Sequence, residues 1–69
     1  MRDQPHSERH LQSAARHQEA ADRHAALAVR FAEAGDDELA ELERRNVEVE
    51  QKAAELERDR AALFKARGD

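Results

Sequence analysis

From residue 9 to residue 36 the chain repeats itself every seven positions, reading RHLQSAA, RHQEAAD, RHAALAV and RFAEAGD. Within each repeat, steps of three and four select His10, Ala14, His17, Ala21, His24, Ala28 and Phe31. Residues at that spacing share one face of an α-helix. A second stripe with the same steps follows: Leu39, Leu42, Asn46, Val49, Ala53, Leu56, Arg60 and Leu63. An apolar repeat of seven implies a left-handed coiled-coil seam.

The break between the stripes is Ala34-Gly35-Asp36. Glycine supplies the left-handed conformation that ends many helices, and aspartate is a strong N-cap. The pattern predicts helix 1 over about 4–34, a turn at 35–36, and helix 2 over about 37–67. Asp3 is the expected N-cap of helix 1, followed by Pro5 in the first turn, where the missing N–H costs nothing. So short a connection forces the helices antiparallel. The fold class is therefore all-α: one antiparallel two-helix hairpin of coiled-coil type, expected to dimerise into a four-helix bundle.

In an antiparallel pair, facing residue numbers add to a constant. With the two stripes facing each other, Phe31 meets Leu39, Ala28 meets Leu42, His24 meets Asn46 and Ala21 meets Val49. His17 then meets Ala53, Ala14 meets Leu56 and His10 meets Arg60. Every pair adds to 70.

Small chains bury little surface, so a lone hairpin gains from pairing with a copy of itself. Leu11 and Val29 on helix 1, with Val47 and Phe64 on helix 2, lie beside the stripes and form the candidate dimer face. A competing assembly uses helix 2 as a parallel zipper. Asn46 at a core position favours a parallel, in-register pair, and Arg45 to Glu50 and Lys52 to Glu57 are attractive flanking contacts.

Composition narrows the function. The 69 residues carry a net charge of −4, no Cys and no Trp or Tyr. Disulfides and thiolate metal sites are excluded. No apolar run is long enough to cross a bilayer, and no secretory leader is read at the polar start, so the expectation is a cytoplasmic protein. Ser7 and Ser13 are the only hydroxyl side chains, no Gly-rich phosphate loop exists, and no catalytic set is evident. The expected protein is not an enzyme and needs no cofactor.

Two features bear on binding. His6 and His10 are spaced to chelate one divalent ion weakly from one helix face. Seam histidines at intervals of seven are two turns apart, too far for one ion, and are expected to be neutral and hydrogen-bonded. Arg9, Arg16, Arg23 and Arg30 form a stripe that could grip phosphates of RNA. No aromatic residue interleaves them for base stacking, and Glu19 and Glu33 are placed to pair with Arg23 and Arg30.

The stretch from Ala14 to Ala40, with its Ala-Ala pairs, His and Gln residues and FAEAGDDELA turn, resembles small Ala/His-rich bacterial proteins of unknown function built as helical hairpins. Helix 2 departs from that pattern, being rich in Glu and Arg rather than His. The architecture is also similar to the Rop-type RNA-binding hairpin dimer. That likeness is one of architecture; the expected function is a structural or protein-interaction role for a self-associating hairpin, with RNA binding through the arginine stripe as the alternative.

Overall fold

The computed structural model describes residues 4–69. Two helices account for nearly all of them: α1 (His6–Glu33) and α2 (Asp37–Ala66). They pack side by side in opposite directions, and the hairpin measures 51 × 23 × 10 Å. Among the described residues there is no strand. No described helix is long and apolar enough to cross a membrane. Asp3, the expected N-cap, lies outside the described residues.

The turn is built from backbone hydrogen bonds. The Gly35 N–H donates to Ala32 O, and the Asp36 N–H donates to Phe31 O at 2.8 Å. This pair of bonds is the Schellman arrangement, and it needs a left-handed residue at Gly35, whose φ is +81°. Asp36 then caps α2, its Oδ1 accepting from the Leu39 N–H at 3.1 Å. Asp37 and Glu38 in the first turn complement the positive end of the helix.

The same device closes the other end. Gly68 has φ +92°, and the Asp69 N–H donates to Phe64 O at 3.1 Å. That turn carries Asp69 onto the start of α1. The Ser7 N–H donates to Asp69 Oδ2 at 3.0 Å, and the Ser7 hydroxyl donates to the Asp69 carbonyl at 3.3 Å. Pro5, the residue at the N-cap position, offers no capping side chain. An aspartate from the far end of the chain, brought to the same end of the hairpin, does the work instead.

The core is almost entirely alanine. The buried apolar residues are Ala14, Ala21 and Ala28 on α1 and Ala40, Ala54 and Ala61 on α2. Side chains this small let two helix backbones approach closely. On α1 the expected stripe holds throughout: its alanines are buried, and His10, His17, His24 and Phe31 are half-buried.

On α2 the expectation fails. Leu39, Leu42, Val49, Leu56 and Leu63 are between 41% and 63% exposed. Asn46 is also exposed, and Ala53 is only half-buried. The seam instead uses Ala40, Glu43, Val47, Glu50, Ala54, Glu57, Ala61 and Phe64. This stripe is one residue further along the helix, a rotation of about 100°. Val47 and Phe64, read as part of a dimer face, therefore belong to the intrachain seam. The alignment constant shifts too, since His10 meets Glu57, His17 meets Glu50 and His24 meets Glu43, each pair adding to 67. The physical reason is polar satisfaction. The expected register would set His17 against Ala53 and His10 against the donor-only Arg60, leaving only His24 an acceptor in Asn46, and unpaired buried polar groups are costly.

Gly35 offers a direct check. A Cβ there would meet nothing within 4 Å, so the cost of substitution is conformational alone. Gly35→Ala should destabilise the hairpin by about 1 kcal/mol. For a domain of this size that is a fall of roughly 4–8 °C in melting temperature. Gly35→Asn should cost less, because asparagine tolerates the left-handed region. Circular dichroism melts compare the three.

Candidate functional site

Three histidine–glutamate pairs run along the seam like rungs. His10 Nδ1 lies 2.6 Å from Glu57 Oε2, and His17 Nδ1 lies 2.6 Å from Glu50 Oε2. His24 pairs in the same way with Glu43. Alanine layers separate them. The register puts Ala14 and Ala54 between the first two rungs, and Ala21 and Val47 between the second and third. Each glutamate is more buried than its histidine. Among the described residues no buried side-chain polar atom lacks a partner.

The histidines were expected to be neutral seam residues, one of them against Asn46. The structure gives each a carboxylate instead. Each ring nitrogen Nδ1 is placed to donate an N–H to that carboxylate.

Glu57 is the most elaborated of the three acids. Its Oε1 also accepts from Arg60. Its carboxyl is held below the usual 4.5, chiefly by the His10 hydrogen bond, against desolvation and with help from Arg60. At this end of the hairpin the His6 and His10 rings both stack on Phe64, with centroids 4.9 and 5.3 Å away. This pins the two rings expected to chelate a metal. His10 also commits Nδ1 to Glu57, and among the described residues no group of three metal-ligating side chains forms.

The exposed surface divides into two faces. In an antiparallel pair, the position before each seam residue falls on one face in both helices, and the position after falls on the other. On the first face α2 presents Leu39, Leu42, Asn46, Val49, Leu56 and Leu63, while α1 presents Leu27 and the arginines Arg9, Arg16, Arg23 and Arg30. On the second face lie Leu11 and Val29, over grooves floored by Val47 near the turn and Ala61 near the termini. The leucines are thus gathered mainly on α2, and the arginine stripe flanks them across the seam.

The arginines are little engaged. Arg9 donates to the Gln4 carbonyl at 3.3 Å. Arg16, Arg23 and Arg30 form no ion pair among the described residues, so the expected partners Glu19 and Glu33 do not reach them. On α2, Glu41 does hold Arg44 at 3.1 Å and Arg45 at 3.9 Å.

Sequence reasoning reads Glu50 and Glu57 only as flanks of a helix 2 zipper and does not place the glutamates opposite the histidines. Their signal was present: Glu43, Glu50 and Glu57 keep the same interval of seven as the histidines. No protein-family model, curated protein or solved structure matches the chain.

The Glu57 carboxyl gives a signed pH expectation. A carboxyl whose value is lowered by folding stabilises the fold above its unfolded value, and that contribution is lost as pH falls through the folded one. The melting temperature should therefore drop as pH is lowered below about 4.5, the usual carboxyl value. Glu57→Gln should melt lower at neutral pH and lose part of that acid dependence. Equal slopes for the two proteins would refute the assignment.

Proposed function

We propose that the chain is a non-catalytic interaction module whose hairpins self-associate through the leucine face of α2, giving a homodimer of four helices. The observation that carries this reading is the row of large apolar residues left at least 41% exposed on a helix whose own intrachain seam is complete without them. A regular exposed apolar row marks an interaction site. Fully burying each leucine contributes roughly 1.5–3 kcal/mol, more than alanine layers offer the lone hairpin.

A second reading rests on the arginine stripe, whose exposed, unpaired members could hold a phosphate backbone. It is weaker. The chain is net negative, and the stripe borders an apolar row rather than a basic surface or a stacking platform.

Sedimentation equilibrium separates the readings. The wild-type chain should sediment as a dimer, and Leu42→Glu with Leu56→Glu should sediment as a monomer that remains helical, because neither side chain is in the intrachain seam. A wild-type monomer at the highest soluble concentration would overturn the proposal. RNA retention that falls with salt and disappears in Arg16→Glu with Arg23→Glu would favour the second reading.

A further inference from the structure

Resting on that proposed dimer, we infer that the partner of the leucine face is a second copy of this chain docked with its α2 parallel and in register, leaving the two α1 helices on opposite sides of a central zipper. Three observations select this orientation.

The first is Asn46, exposed among leucines on the face. A parallel, in-register pair sets Asn46 against its own copy, where two amides can hydrogen-bond. An antiparallel pair that overlays the ends of the stripe, Leu39 on the partner's Leu63, sets Asn46 against Leu56 and Leu42 against Arg60. The Asn46 layer buries an amide against hydrocarbon, which the parallel pair avoids; Arg60, set against its own copy in the parallel pair, does not discriminate.

The second is the arginine stripe. A two-fold axis along the helices carries the partner's α1 to the far side of the zipper, so the two stripes stay apart. An axis across the helices lays one α1 over the other. The two arginine stripes, with three members on each unpaired within the chain, would then face each other. Like charges in contact oppose that arrangement.

The third is the position of the seam acids. Glu50 and Glu57 flank the leucine row on its α1 side, while Arg45 and Lys52 flank it on the outer side. In a parallel pair each outer base meets the acid five residues further along the partner, Arg45 on Glu50 and Lys52 on Glu57. Those acids already hold His17 and His10 through Oε2, and Glu57 Oε1 also accepts from Arg60, so Glu50 is the one of the two with an oxygen left for the partner's base. The second copy thus closes over the rungs that set the intrachain register, and hairpin and dimer reinforce each other.

The chain has no cysteine, so cross-linking reads the geometry cleanly. Leu39→Cys and Leu63→Cys are introduced singly at opposite ends of the stripe, outside the intrachain seam. Under mild oxidation each variant should link to itself in high yield, and a mixture should give few 39–63 products. Self-linking fails and mixed products dominate if the pair is antiparallel, which overturns the orientation and leaves the dimer standing. Linking through Leu11→Cys instead, with neither α2 variant reacting, overturns the choice of face. A chain that sediments as a monomer overturns the dimer itself. In the Leu39→Cys background, Asn46→Leu should relax the orientation, so that mixed products with Leu63→Cys rise; no change would remove Asn46 from the argument.

Discussion

The structure depends on one constraint: three half-buried imidazoles on α1 need acceptors, and only one rotation of α2 supplies them. Two alanine-rich helices have little shape to distinguish one alignment from another. Sliding by a few residues would still put alanine on alanine. The rungs His10–Glu57, His17–Glu50 and His24–Glu43 remove that freedom, because a slip of a few residues or a rotation strands three carboxylates and three rings together, and a slip of a whole heptad still strands one pair. Individually such partly exposed pairs contribute little to stability. Their contribution is to specificity, which buried polar groups can supply at some cost in stability.

Once α2 turns its glutamates inward, the leucines have to point out. That consequence links the fold to the proposed function. A helix with two adjacent heptad stripes can serve two purposes: the alanine–glutamate stripe packs the hairpin, and the leucine–valine stripe is the one proposed for association. The caps follow the same economy. Asp69 leaves one helix by a Schellman turn and caps the start of the other, so both ends of the hairpin are tied. Loss of either tie would fray a seam that has no large buried side chain to hold it.

The hairpin itself was legible in the sequence. Gly35 and Asp36 marked the turn, the helices end within two residues or so of their expected limits, and the whole α1 stripe was read correctly. The α2 seam was not. Hydrophobicity is a guide to the interface on α1, but on α2 it points to the stripe that stays outside. Matching polar residue to polar residue would have found the true alignment, since histidines and glutamates share an interval of seven. Size was the second missed cue: alanines at 14, 21 and 28 call for close approach, which Leu42, Val49 and Leu56 would prevent. The metal expectation at His6 and His10 failed to foresee Phe64, which lies 54 residues or more away in sequence and stacks on both rings.

Nuclear magnetic resonance on the wild-type protein tests the central claim most directly, because Ala21 lies opposite either Val47 or Val49 according to which α2 stripe faces α1. In a sample mixing labelled and unlabelled chains, filtered to keep contacts within one chain, the Ala21 methyl should show a strong nuclear Overhauser effect to the Val47 methyls and none to Val49. A contact from Ala21 to Val49, with none to Val47, would contradict the histidine–glutamate register and everything built on it.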